Sequence, residues 1–252
     1  MGRVFVFVNQ KGGVGKTTSA INLGAYMAEA GKSVLLVDFD SQGNLSSGMG
    51  VNVPKPGVYE LISGQASIDE VIRKTATPSL SIIPATIDLS GAAVELIEQE
   101  KRDFFLKKAL APALSRYDYI LIDCPPSLGI LTVNGLAAAD SVLIPMQCEY
   151  FAMEGFSLLL QTIKRIQQNL NPGLEVGGIF FTMYDQRTRL AQEVVKQVSA
   201  YFKSKVFATI IPRNVRLSEA PSHGLPISQY DPQSSGGRAY KSLAEEVLNR
   251  GL

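Results

Sequence analysis

The stretch Asn9-Gln10-Lys11-Gly12-Gly13-Val14-Gly15-Lys16-Thr17-Thr18 follows the run Val4-Phe5-Val6-Phe7-Val8 and precedes helical spacing of apolar residues over 17–30. A strand, a glycine-rich turn and a helix in that order form the context of a phosphate-binding loop. Glycines let successive backbone N–H groups turn inward around phosphate oxygens, and the helix N-terminus adds the positive end of its dipole. Lys16 neutralises charge on the β- and γ-phosphates, and the Thr17 hydroxyl is a ligand for Mg²⁺. Gly12, Gly13, Val14, Gly15, Lys16, Thr17 and Thr18 are therefore expected to hold a nucleotide's phosphates. A glycine-rich turn before an ordinary helix is the competing reading, and the strand-loop-helix context disfavours it.

Outward from this loop, short β-branched runs at 3–8, 33–37, 80–84, 119–123, 141–145, 175–182 and 206–211 read as buried strands. Between them, residues 17–30, 104–114, 130–139, 155–169, 191–202 and 238–249 have helical spacing of apolar residues. Strands alternating with helices mean an α/β protein: three layers, a mainly parallel twisted sheet with helices on both faces, of the P-loop type. No repeat or low-complexity tract interrupts the chain, and the Pro/Gly-containing residues 48–57 read as a loop, so residues 1–252 are expected to form a single domain.

Composition agrees with a globular chain. It has 252 residues, 46% hydrophobic and 19% charged, and its mean hydropathy lies just above zero, which excludes disorder, collagen and coiled coil. No apolar run approaches the roughly 18 residues of a membrane span, and Asn9, Gln10 and Lys11 cut the first apolar segment too short for a signal peptide. A cytoplasmic location is expected. Cys124 and Cys148 fit a reducing compartment and have no CxxC spacing. His223, the one histidine, has no nucleophile signature beside it and is assigned a place in the 221–224 turn.

Two acidic segments complete the candidate site. Asp38-Phe39-Asp40-Ser41-Gln42-Gly43 puts two carboxylates at a strand's C-terminal end, where ligands bind in open α/β sheets. Tyr119-Ile120-Leu121-Ile122-Asp123 is an apolar run ending in an acid able to hold Mg²⁺, usually through water.

The loop departs from G-x-x-x-x-G-K-[ST] at one place: Gln10 replaces the first glycine, and a second lysine, Lys11, follows it. Lys11-Gly12-Gly13-Val14-Gly15-Lys16-Thr17-Thr18 resembles the deviant Walker A motif of the ParA/MinD superfamily. Together with residues 145–151 and 211–224, it is similar to the small chromosomal ParA ATPases of the Soj type over nearly the whole chain. The resemblance implies that Lys11 reaches across a nucleotide-sandwiched homodimer to the partner's phosphates. It assigns Asp40 to positioning the attacking water, Asp38 to the outer shell of Mg²⁺ and Asp123 to the Walker B acid. It places Pro212 and Asn214 against the adenine. It further implies ATP-dependent, sequence-independent binding of double-stranded DNA on the nucleoid, and slow hydrolysis stimulated by a ParB-type centromere-binding partner. Gly12 has two readings: its lack of Cβ admits the second subunit's backbone, or it needs a positive φ of its own.

Charge is unevenly placed along the chain, and by itself it fits a nucleic-acid face and a solvated surface equally. Residues 1–160 hold twelve Lys/Arg against sixteen Asp/Glu, and residues 161–252 hold twelve against seven. Arg187, Arg189, Lys196, Lys203, Lys205, Arg213 and Arg216 meet one acid within their span, Glu193. On a DNA face, phosphate contacts and counterion release would give affinity without base reading; the resemblance implies Arg187, Arg189 and Arg216 as the leading candidates, because their segments are similar to the family's DNA-contacting parts, with Arg213 shared with the nucleotide side. A solvated face with remote counter-charges is the alternative.

A MinD-like membrane-surface switch in division-site placement is the second functional reading, and it requires a basic amphipathic tail with large apolar residues. Residues 238–252 contain Glu245 and Glu246 and no Phe or Trp, so no membrane is expected. A metabolic P-loop ligase is the third, and it would need neither Lys11 nor the basic tract. With its first strand at residue 3, the chain is expected to lack an N-terminal helix-turn-helix and operator binding.

Overall fold

The computed structural model describes residues 2–51, 55–149 and 152–252. Residues 52–54 of the expected loop, and Tyr150 and Phe151 of the 145–151 segment, lie outside them. Seven strands form one sheet: β1 (Arg3–Phe7), β2 (Val34–Asp38), β3 (Arg73–Lys74), β4 (Leu80–Ile83), β5 (Tyr119–Asp123), β6 (Ser141–Gln147) and β7 (Glu175–Thr182). Their order is β3-β4-β2-β5-β1-β6-β7. Every pairing is parallel except that of β3 with β4.

Alternation along each strand feeds two cores. Val4, Val6, Ile120, Ile122, Val142 and Ile144 face one side, where helices Ile130–Ala138, Ala152–Asn169 and Arg189–Phe202 pack. Phe5, Phe7, Leu36, Leu121 and Leu143 face the other, against helices Lys16–Glu29 and Ser235–Asn249. Period-two side chains on a sheet covered by helices on both faces produce the expected three layers.

Two local expectations fail for identifiable reasons. Residues 206–211 are not a strand: Val206 makes one isolated bridge to Ile179, and Pro212 one to Tyr184. Phe207 instead turns into the sheet over Gly178, where a Cβ would lie 2.2 Å from the ring, and a side chain inserted toward the sheet is incompatible with a continuous added strand. The expected helix at 104–114 is only Phe105–Leu110, with single 3₁₀ turns at Arg102–Phe104 and Ala111–Ala113. Pro112 removes a backbone donor in the last turn.

Short helices at Asn44–Gly48, Val58–Ile62, Ile68–Val71, Leu89–Glu95, Arg216–Glu219 and Ile227–Tyr230 are too brief for periodicity to reveal. Helix Ser235–Asn249 turns Tyr240, Leu243, Ala244 and Val247 into the core. Among the described residues, no helix is long and apolar enough to cross a membrane.

Candidate nucleotide site

The C-terminal ends of β1, β2 and β5 converge on the loop after β1. Gly13 and Gly15 take left-handed φ values of 73° and 87°, conformations that favour glycine. Gly15 is the N-cap of helix Lys16–Glu29 and provides no side-chain cap, leaving first-turn N–H groups for an anion. Gly12 has no positive φ, and a Cβ there would meet nothing closer than Pro126 Cβ at 3.9 Å. The positive-φ reading of Gly12 is thereby overturned, and nothing among the described residues requires glycine at this position.

Lys16 is buried, with Nζ donating to the Asn9 carbonyl at 3.2 Å. Burial lowers its pKa, opposed chiefly by the Asp123 carboxylate, and phosphate oxygens would add to that counter-charge. Thr17 Oγ1 donates to Asp123 Oδ2 at 2.6 Å. Asp123 is buried, and its other oxygen has no hydrogen-bond partner. Its carboxyl is pushed up to about 8 by burial and then by Asp38, its register neighbour across β2 and β5.

This hydroxyl, the orphaned carboxylate oxygen and room for phosphate and water fit Mg²⁺, which favours a few protein oxygens over an all-protein cage. Among the described residues, no cluster of three or more His, Cys, Asp or Glu offers such a cage.

Asp38 is fully buried and does different work. Its Oδ2 accepts from the Ser46 backbone N–H at 2.8 Å and from Ser46 Oγ at 2.6 Å, and Ser46 Oγ accepts from the Ala85 N–H at 3.1 Å. Burial pushes its carboxyl up to about 6 against these hydrogen bonds. Asp38 therefore anchors the segment that carries Asp40, a role that its acidic spacing did not reveal. Asp40 reaches the cavity, with Oδ1 accepting from the Gln42 N–H at 3.1 Å.

Two adjoining cavities meet at the loop. The phosphate-side one, about 510 Å³, is lined by Gly12, Gly13, Gly15, Lys16, Thr17, Thr18 and Asp40. The base-side one, about 560 Å³, is lined by Pro212, Asn214, Ile211, Leu217 and Tyr240. Gly15, Thr18, Met183 and Pro221 line both. Pro212 and Asn214 thus lie beside the loop despite some 200 intervening residues, although Asn214 already donates to Ser235 Oγ at 2.7 Å and accepts from the Arg216 N–H at 2.8 Å. Val14 is buried and outside both linings. Lys11 also stands aside, its ammonium ion-paired with Glu149, a partner that sequence reasoning missed.

The basic residues divide by partner. Arg187 is paired with Asp185 at 2.6 Å, and the arginine holds the Asp185 carboxyl well below the usual carboxylate range. Arg216 is paired with Glu219 at 2.9 Å and Asp231 at 3.5 Å. Arg189, Lys196, Lys203 and Lys205 are exposed. The Tyr184–Pro212 bridge, with Arg213 N–H donating to the Tyr184 carbonyl at 3.1 Å, stitches the arginine turn to the cavity-lining 211–217 segment.

Both cysteines are free; burial pushes the Cys124 thiol well up and the Cys148 thiol to about 12, keeping them protonated. His223 stacks on Tyr230 with ring centroids 5.0 Å apart.

Comparison with known proteins follows the same lines. A family model described as an AAA domain matches residues 2–176. The chromosome-partitioning ATPase Soj of Treponema pallidum is 66% identical over 250 residues, 99% of this chain and 98% of that protein. The sporulation initiation inhibitor protein Soj of Bacillus subtilis is 51% identical over 253 residues, 100% of each chain. In structure, cobyrinic acid a,c-diamide synthase of Mycobacterium smegmatis with bound ADP and magnesium is similar with a TM-score of 0.87 at 38% identity, covering 100% of this chain and 96% of that one.

Proposed function

The chain belongs to the ParA/Soj family of chromosome-partitioning ATPases, and from that premise we propose that it is an ATP-driven dimeric switch on DNA. In this reading residues 1–252 are one P-loop ATPase domain that binds ATP and Mg²⁺, dimerises, and coats DNA without sequence preference. A ParB-type centromere-binding partner stimulates its slow hydrolysis and resets it on the nucleoid. The observation that carries this reading is the Tyr184–Pro212 bridge. One backbone segment both lines the base-side cavity and bears Arg213 and Arg216, which in this reading would couple nucleotide occupancy to the cationic surface.

The chain's own groups divide the work. Backbone N–H groups of residues 12–18 hold the phosphates, with Lys16 as the buried counter-charge. Pro212 and Asn214 flank the base. Thr17 and Asp123 would hold Mg²⁺, with Asp38 in its outer shell, and Asp123 must give up its proton to do so. Mg²⁺, when bound, neutralises the β- and γ-phosphate oxygens. Asp40, at the cavity wall, orients the attacking water. Lys11 leaves Glu149 and reaches the partner's phosphates, adding a cation where charge develops. Gly12 is the point of close approach between the two copies, which accounts for a glycine that the single chain does not need.

Two copies of Arg187, Arg189 and Arg216, with Lys196, Lys203 and Lys205, then form the DNA face. The membrane reading is disfavoured because the last helix already turns its apolar residues into the core.

Association of the Asp40→Ala protein with non-specific duplex DNA, in ATP, ADP and no nucleotide across a salt series, tests this. Binding only in ATP and falling steeply with salt is expected. An intact ATP dimer that binds no DNA in any state overturns the DNA switch, and binding to lipid vesicles instead would establish the membrane alternative.

A further inference from the structure

Two carbonyls of the phosphate-binding loop are held from outside by strand ends far away in sequence. Gln147, ending β6, donates from Nε2 to the Gly13 carbonyl at 3.0 Å. Thr182, ending β7, donates from Oγ1 to the Val14 carbonyl at 2.8 Å. In a trans peptide the C=O and the following N–H point in opposite directions. Holding these carbonyls against β6 and β7 therefore turns the Val14 and Gly15 N–H groups the other way, as binding of an anion requires.

The same Gln147 Nε2 lies 2.9 Å from Met183 Sδ. Met183 has a left-handed φ of 51°, which is uncommon for a residue with a side chain and tends to occur at functional sites. It is partly exposed and lines the phosphate-side cavity, the base-side cavity and a third cavity that contains Glu149 and Arg213. One amide thus joins the loop to a residue that lines both cavities.

Building on the reading that the joined cavities hold the nucleotide, we propose that Gln147 and Thr182 are positioning residues that preset the loop's N–H groups, and that Met183 is the nucleoside-contacting wall coupled to them through Gln147. The first two act on any polyphosphate. Met183 acts only on a ligand with a nucleoside.

The test is titration of MgATP and of inorganic tripolyphosphate with wild type, Thr182→Val, Thr182→Ser, Gln147→Leu and Met183→Gly. Loss of one neutral hydrogen bond predicts about fivefold weaker binding of both ligands by Thr182→Val and Gln147→Leu, with Thr182→Ser restored to wild type because it keeps the hydroxyl. Met183→Gly should weaken ATP by about fivefold and leave tripolyphosphate unchanged, raising KM without lowering kcat. Its Tm should not fall, because glycine accepts the left-handed backbone.

Wild-type affinities in folded Thr182→Val and Gln147→Leu overturn the presetting role. Equal weakening of both ligands by Met183→Gly overturns its assignment as the nucleoside wall. A wild type that binds neither ligand overturns the site reading itself, a result distinct from either.

Discussion

The phosphate-side cavity and the arginine turn at 184–189 use charge in opposite ways. In the cavity, Lys16, Asp38 and Asp123 are buried, and their titrations are shifted by desolvation. At the turn, Arg187 and Asp185 form an ion pair at the surface, 84% and 28% exposed at their side chains. Water screens a surface pair, so it contributes little and its members exchange partners readily. A buried charge left without its counter-charge is strongly unfavourable, so on the proposed reading phosphate and metal would complete the cavity. One region confines its charges within the fold, and the other leaves them paired at the surface, within reach of solvent.

The largest effects are expected in the cavity. Asp40→Ala should lower turnover about 10²- to 10⁴-fold, the usual contribution of a group that handles the attacking water, with ATP affinity retained. Lys16→Ala should instead lose affinity, by about 2–5 kcal/mol for a truncated buried partner. Single-turnover hydrolysis and nucleotide titration on both variants separate the two. Equal loss of affinity in both would break the division between holding and hydrolysing.

Intermediate effects concern how the apo charges are balanced. Asp123 and Asp38 hold protons more tightly in the folded chain than the ordinary carboxylate value near 4 allows. A folded pKa raised above the unfolded one means stability is lost as pH rises from that unfolded value toward the folded ones, about 6 and about 8. The nucleotide-free Tm should therefore fall by a few °C between pH 6 and 8.5, and Asp123→Asn should flatten the decline. A Tm that rises over this range would show that the carboxylates are already compensated.

The smallest effects belong to the surface. Glu219→Gln releases Arg216 from its closest pair and should strengthen ATP-dependent DNA association up to about fivefold. Arg189→Ala, with no internal pair among the described residues to give up, should weaken DNA association more than Arg187→Ala does. Salt-dependent binding isotherms rank all three. The reverse order would make the Asp185–Arg187 pair the organised contact and Arg189 a bystander.

Much of the cavity was legible in the chain because its parts are local. Strand, glycine turn, Lys16 and Thr17 are contiguous, and Asp40 and Asp123 each close or follow an apolar run whose period shows where a strand ends. The 206–211 run misled because β-branched content does not tell an added strand from a segment that packs Phe207 onto Gly178. The 104–114 periodicity overran the helix because Pro112 ends it in a 3₁₀ turn after Leu110.

By itself, then, the sequence determined the α/β layering, the phosphate-binding loop and the identity of its charged groups. Only the tertiary structure decided which charges are paired: Arg216 with Glu219, Arg187 with Asp185, Lys11 with Glu149. It alone showed Asp38 to be an anchor for Ser46, and it joined Gln147 to Gly13 across 134 positions and Thr182 to Val14 across 168. Periodicity and glycine spacing record what a residue's near neighbours along the chain require. A hydrogen bond from a distant strand end to the loop depends on strand order, which is set by the packing of whole elements and leaves no mark on either segment alone.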